Sequence, residues 1–267
     1  MNLKKFNLSN KLALITGGAG FLGTQHALAL SELGCNIFLL DNNYKSLLKK
    51  KILFKKRNIN INIIRLDITK ELEIKKSAQF ILKKFKKIDI LINNAAIDFK
   101  PNNKNSKNQN KFESFSLQQW LKELNVGLTG AFLCSKIFGS EMAKNKNGVI
   151  VNISSDLSVI APDQRLYKHL NSFKPITYSI IKYGIIGLTK YLATYWAKDN
   201  IRVNALSPGG IKNNQDKIFI QKIKKLIPLK RMANKEEYHG AIQFLCTDAS
   251  SYMTGQNLVI DGGRSVL

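Results

Sequence analysis

The sequence predicts an α/β fold: a single-domain, doubly wound parallel sheet with helices on both faces. Three observations predict it. Short apolar runs alternate with helical segments along the whole chain, the order that builds parallel sheets. Those runs are apolar almost throughout, as strands covered on both faces must be. The first of them, Leu12-Ala13-Leu14-Ile15-Thr16, runs into a glycine cluster, Gly17-Gly18-Ala19-Gly20-Phe21-Leu22-Gly23.

That cluster anchors the rest. Gly18-x-Gly20-x-x-Gly23 stands between a strand and an Ala/Leu-rich helical segment, 24–33. This is the context of the dinucleotide-binding fingerprint of the Rossmann fold. Glycines let the chain turn tightly and let backbone N–H groups approach a pyrophosphate. The helix N-terminus then faces the anion with its partial positive charge. A second strand, 36–40, ends in Asp41. That carboxylate comes about 20 residues on, where the fingerprint places a ribose ligand.

Further units follow in order. A third strand, 61–66, ends at Asp67, and 71–85 has helical periodicity. A fourth strand, 88–92, closes in Asn93-Asn94-Ala95-Ala96. A long helix is expected over 117–142, with a break near Gly127 or Gly130. A fifth strand, 148–153, precedes Ser154-Ser155, and a helix spans 178–196. A sixth strand, 201–206, ends in Ser207-Pro208-Gly209-Gly210. A helix over 235–245 and a strand over 257–260 complete the pattern. Segments 98–116, 156–177 and 212–226 interrupt it and read as loop insertions. The first two follow strand C-terminal ends, where open α/β sheets bind ligands, and loops this long are often functional.

Composition narrows the classes. With 267 residues and 44% hydrophobic content, the chain can bury a full core. No apolar run approaches the roughly 20 residues that span a bilayer, and no signal-peptide pattern opens the chain. Cys35, Cys134 and Cys246 lie far apart, and so do the three histidines. A cytoplasmic location follows as the expectation, with no metal site. The net charge is +24, from 42 Lys+Arg against 18 Asp+Glu. Such a charge can attract nucleic acid, membrane surfaces or acidic substrates. Because the lysines form no single stripe, compositional drift is favoured over the alternative, a basic funnel for a phosphorylated substrate, and no nucleic-acid or membrane partner is expected.

Taken together, these residues resemble the short-chain dehydrogenase/reductase family over 12–263. The matches are Thr16-Gly17-x-x-Gly20-x-x-Gly23, Asp67, Asn93-Asn94-Ala95, Asn125, Ser154-Ser155, Tyr178-x-x-x-Lys182, Pro208-Gly209 and Thr254-Gly255-Gln256-x-x-x-x-Asp261-Gly262-Gly263. The resemblance implies an oxidoreductase that interconverts an alcohol and a carbonyl, with Asn125, Ser155, Tyr178 and Lys182 catalytic. Of the serine pair, Ser155 is chosen over its neighbour Ser154, because in the family the second serine of such a pair usually acts. The resemblance implies a cofactor site built from Gly17, Gly20, Phe21, Leu22 and Asp41 at one end. Asp67, Ile68, Asn94, Ala95 and Ala96 extend that site, and Tyr178, Lys182, Pro208, Gly209 and Ile211 complete it. Two departures stand out. Ala96 replaces the more usual glycine, and Lys212-Asn213-Asn214 stands where the family often has a threonine.

The chemistry follows from the residue types. Tyr178 and Lys182, at i and i+4, share a helix face. A free phenol has a pKa of about 10, and a nearby ammonium favours the phenolate. Tyr178 would then give a proton to a carbonyl oxygen or take one from an alcohol. Lys182 would hold the nicotinamide ribose, Ser155 the substrate oxygen, and Asn125 would support the proton relay. Asp41 predicts NAD as cofactor, with NADP less favoured, because a carboxylate repels a 2′-phosphate.

The stretch 155–167, with Asp156, Asp163, Gln164 and Arg165, is similar to oxidoreductases of bacterial surface-sugar pathways of the flagellin-modification type. That similarity suggests a small-molecule substrate such as a nucleotide-activated sugar. A 3-oxoacyl-carrier-protein reductase is the alternative, and Asp41 argues against it because such enzymes commonly use NADPH. A dinucleotide sensor or nucleic-acid-binding protein without turnover is a further alternative, opposed by the intact Asn125, Ser155, Tyr178 and Lys182. The resemblance also implies a homotetramer or homodimer through helices 117–142 and 178–196. Phe132, Phe138, Leu188 and Leu192 are the apolar candidates for that interface.

Overall fold

The structure, a computed structural model, describes residues 3–97 and 110–267. The apolar runs become β1 (Leu12–Thr16), β2 (Asn36–Asp41), β3 (Ile61–Arg65), β4 (Ile90–Asn93), β5 (Gly148–Ile153), β6 (Ile201–Pro208) and β7 (Asn257–Ile260). They form one sheet, parallel throughout, in the order β3-β2-β1-β4-β5-β6-β7. β1 pairs with both β2 and β4, so the strand order reverses at that point. Open α/β sheets bind ligands at such a reversal, outside the strand C-termini.

Successive side chains of a strand face opposite sides, and the core divides accordingly. Ala13, Ile15, Ile37 and Leu39 feed one apolar cluster, while Leu12, Leu14, Phe38 and Leu40 feed the other. α1 (Phe21–Ser31) and α2 (Tyr44–Lys55) cover the first face. α3 (Glu71–Phe85) covers the second with a long helical run. That run is α4 (Leu117–Leu124), α5 (Gly130–Cys134) and α6 (Ser140–Lys144), joined by π-helical turns at Asn125–Thr129 and Ser135–Gly139. The break expected near Gly127 or Gly130 is therefore a π turn within a continuous helix. At Gly139 the absent side chain is a packing requirement: a Cβ there would lie 2.4 Å from the Trp196 ring.

α7 (Ile176–Tyr195) follows β5, α8 (Lys217–Lys225) follows β6, and α9 (His239–Cys246) packs beside α1 on the first face. Two helices escaped the sequence reading. α8 lies inside the segment expected to be loop, and α2 had no expected element. Both are lysine-rich, with a narrow apolar seam: Phe219 and Ile223 in α8, Leu47 and Phe54 in α2. Side-chain caps start them, Asn43 accepting from the Ser46 N–H and Asp216 from the Phe219 N–H. The other differences are at boundaries. α1 begins at Phe21 instead of Thr24, β4 at Ile90 instead of Ile88, and β6 runs on to Pro208. Most of the expected insertion at 98–116 lies outside the described residues; its end carries a short turn at Phe112–Ser114.

Candidate active site

A cleft of about 420 Å³ opens across the C-terminal ends of the strands. Its first end is the glycine turn. Gly17 has φ +61°, and a Cβ at Gly23 would lie 2.4 Å from the Gly17 carbonyl oxygen. Only glycine at both positions lets α1 leave β1 this closely. Gly20 caps α1 without a side-chain hydrogen bond, so the first N–H groups of the helix face the cleft uncovered by a side chain. Thr16 braces the turn: its hydroxyl accepts from the N–H groups of Asn94 and Ala95. The Asn94 amide in turn donates to the carbonyls of Thr16 and Gly17. Asp41 stands at the end of β2, its carboxylate accepting from the N–H groups of Ala19 and Asn43. A glycine cradle, an open helix N-terminus and a ribose-side carboxylate together fit a nicotinamide dinucleotide.

The second end is built by β5 and α7. Tyr178 and Lys182 line the cleft from one face of α7, with the Lys182 ammonium 5.7 Å from the centre of the Tyr178 ring. Lys182 Nζ donates to the Ile153 carbonyl at 2.9 Å. Ser154 and Ser155 differ in what holds them. The Ser154 hydroxyl donates to the Lys182 backbone carbonyl, whereas Ser155 Oγ donates to Asp156 Oδ1 at 2.8 Å and accepts from the Leu157 N–H. Asp156 is itself buried and receives Arg264 Nη1 on its other oxygen at 2.8 Å. Below Tyr178, Glu123 of α4 accepts the Thr177 hydroxyl and the Gln119 amide, fixing the first turn of α7 to α4.

Of the residues singled out from sequence, Gly17, Gly20, Phe21, Leu22, Asp41, Asn94, Ala95 and Ala96 line the cleft. Ser155, Tyr178, Lys182, Pro208, Gly209 and Ile211 do so as well. Asn125, Asp67 and Ile68 do not. Asn125 lies exposed in the first π turn of the long helix. The Asp67 carboxylate is taken up by the N–H and hydroxyl of Thr69. Burial works to raise its pKa, but these bonds, together with the nearby Lys70 and Arg65 charges, outweigh it and hold the carboxyl below the usual range. Ile68 packs against Gly130, where a Cβ would lie 2.5 Å from its Cδ1.

The far wall of the cleft comes from two of the expected insertions, though no single residue of them was assigned from sequence. Segments 156–177 and 212–226 meet there, burying Leu166 and Tyr167 against Phe219, Ile223 and Met232. His169 Nε2 and Asp216 Oδ1, 3.0 Å apart, tie the two segments together. Lys174, Asn213, Gln215 and Arg264 add polar groups to the lining. Arg264 had one sequence signal, its place directly after Asp261-Gly262-Gly263. Tyr238 is excluded as an acid–base group: burial pushes its phenol up, and its hydroxyl donates to the Ile260 carbonyl.

Residues 18–265 match the family described as Enoyl-(Acyl carrier protein) reductase. With the parallel sheet and this cleft, that match shows that the chain belongs to the short-chain dehydrogenase/reductase family. It is an oxidoreductase acting on CH–OH groups with NAD or NADP. Its relatives are more particular. It is 35% identical to an NAD-dependent glycerol dehydrogenase of Listeria innocua, over 98% of this chain and 97% of that one. It is 34% identical to the post-translational flagellin modification protein A of Campylobacter coli, over 96% and 98%. Among solved structures it superposes on a gluconate 5-dehydrogenase of Burkholderia cenocepacia in complex with NADP and tartrate. The TM-score is 0.87, the identity 26%, and each chain is covered completely. No helix among the described residues is long and apolar enough to cross a membrane.

Proposed function

We propose that this enzyme uses NAD(H) to interconvert an alcohol and a carbonyl on a sugar derivative, such as a nucleotide-activated sugar of a bacterial surface-glycan pathway. One observation carries the reading: Ser155, Tyr178 and Lys182 converge at one end of the cleft whose other end is closed by Asp41. The similarity to flagellin modification protein A supports the substrate class. The cofactor, when bound, supplies or accepts the hydride. Gly17, Gly20 and the α1 N-terminus bind its pyrophosphate, and Asp41 its adenosine ribose. Tyr178 moves the proton to or from the substrate oxygen, and Ser155 positions that oxygen. Lys182 favours the phenolate form of Tyr178. Asn125, outside the cleft lining, keeps its proposed role only as a support of the proton relay from the neighbouring helix.

The cofactor preference has a direct test. Fluorescence titration is expected to show NADH binding much more tightly than NADPH. Asp41→Ala removes the carboxylate, so NADH affinity should fall by roughly tenfold while the gap to NADPH narrows. Equal or tighter NADPH binding by the unaltered protein would overturn the NAD assignment.

We also propose a homo-oligomer, a tetramer or dimer, formed through α4, α5 and α7. Leu117, Leu121 and Phe132 are exposed on the first two helices, and Tyr183, Tyr191 and Tyr195 on the third. Large apolar side chains exposed on helices that pack side by side are candidates for an interface. Of the four residues picked from sequence, only Phe132 is well exposed; Phe138 and Leu192 belong to the core, and Leu188 packs against it. Helical periodicity alone could not separate the core-facing stripe from its neighbour. Light scattering at micromolar concentration should report a multiple of 30.1 kDa, and a monomer would contradict the assignment.

A further inference from the structure

Helix α2 is apolar on two sides. Leu47 and Phe54 enter the core, as a helix packed beside β2 and β3 requires. Tyr44, Leu48 and Ile52, each four positions from the next, form a second ridge on the solvent side. They are 49%, 41% and 59% exposed. A helix that only covered a sheet would carry polar residues there.

Cations border the ridge. Segment 42–66 holds six lysines and two arginines and no Asp or Glu. By helical spacing, Lys45, Lys49 and Lys56 run along one side of the ridge and Lys51 along the other, and all four are exposed. None of the four forms an ion pair with a described carboxylate. The acidic residues that flank the segment are engaged elsewhere. Asp41 holds the N–H groups of Ala19 and Asn43, and Asp67 holds Thr69. Glu71 pairs with Lys75 and Lys136, and Glu73 with Lys70. Lysines that form no stripe along the chain are thus set by the fold beside an apolar ridge.

We propose that α2 docks the enzyme on an anionic phospholipid bilayer, with the ridge in the headgroup layer and the lysines against the phosphates. A basic amphipathic helix binds an interface in this way without spanning it. Shape and charge separate this occupant from others. A plane of lipid accepts a convex ridge anywhere, while a protein partner must bring a matching groove. A second copy in a two-fold contact would set the lysines against themselves. Nucleic acid would suit the lysines, but bases stack on aromatic rings and this ridge is mostly aliphatic. Ser155 and Tyr178, on β5 and α7, lie beyond β1 and β4 from this edge. Docking therefore localises the enzyme and leaves turnover to the cleft.

The test is flotation of the full chain with vesicles of phosphatidylcholine alone, or of phosphatidylcholine and phosphatidylglycerol in equal parts. Binding should be confined to the mixed vesicles and should weaken as salt is raised. Leu48→Gln with Ile52→Gln should lower it roughly tenfold or more. Lys45→Gln with Lys49→Gln should do the same, at about fivefold per charge. Lys224→Gln with Lys225→Gln, an equal loss of charge on α8, should change it little. Unchanged thermal unfolding and NADH affinity show that each variant is folded. A polarity-sensitive fluorophore on Ile52→Cys, the three native cysteines being buried, should shift to shorter wavelength on the mixed vesicles. Equal losses in the α2 and α8 lysine pairs overturn the proposal, because overall charge would then hold the protein. So does undiminished binding by the Leu48/Ile52 variant, or a fluorophore that stays in water. Binding to poly(U) RNA without binding to vesicles overturns it too, as does binding to neither.

Discussion

Replacing Tyr178 with phenylalanine is expected to lower turnover by a factor on the order of 10²–10⁴, the usual share of a positioned acid–base group. The change removes one hydroxyl and leaves the ring on α7, under the Lys174 ammonium. NADH affinity should hold, because the glycine turn, Asp41 and Lys182 stay in place. Lys182→Met is expected to behave differently. In the roles proposed above it removes both the charge that favours the phenolate and a cofactor contact, so affinity and turnover should fall together. It also leaves the Ile153 carbonyl without its donor. Steady-state kinetics and NADH fluorescence titration on both variants separate the two roles. Wild-type turnover in Tyr178→Phe would move the acid–base function to another residue.

The parts of this site legible in the sequence are the ones with local geometry. Tyr178 and Lys182 share a face because they are one helical turn apart, and the glycine turn is fixed by a few consecutive residues. The seven strands were legible because a sheet covered on both faces leaves unbroken apolar runs. What sequence could not show is what tertiary packing brings together. Asp156 and Arg264 lie 108 positions apart and meet side by side. Gln164 and Lys174, ten positions apart, meet through the Lys174 main chain, and Lys174 reaches the Tyr178 ring only once α7 is in place. α2 and α8 were hidden because each commits only two buried side chains to the core, among many lysines. The roles implied for Asp67 and Ile68 depend on where their side chains point. In the fold one folds back on Thr69 and the other packs under Gly130.

The remaining large effect concerns the end of the chain. The Asp261 carboxylate accepts from the N–H groups of Gly263 and Ser265, and Gly262 and Gly263 turn at φ +69° and +89°. That turn carries Arg264 inward, where it is 9% exposed, onto Asp156, which is 3% exposed. The pair has excellent geometry, and the second Asp156 oxygen is occupied by the Ser155 hydroxyl and the Leu157 N–H. Arg264→Met strands a buried carboxylate without its countercharge. Breaking such a pair costs about 3–5 kcal/mol, a large part of the 5–15 kcal/mol that typically holds a domain. Urea unfolding should therefore show a markedly earlier midpoint. Asp156→Leu combined with Arg264→Met removes both charges, and apolar replacement of a buried pair is often neutral or stabilising. Stability should largely return in the double variant. Turnover should not return, because Ser155 has lost the acceptor that orients its hydroxyl. Recovery of both would mean that the pair serves the fold alone. Recovery of stability without turnover identifies the C-terminal turn as the support that holds Ser155 toward the substrate.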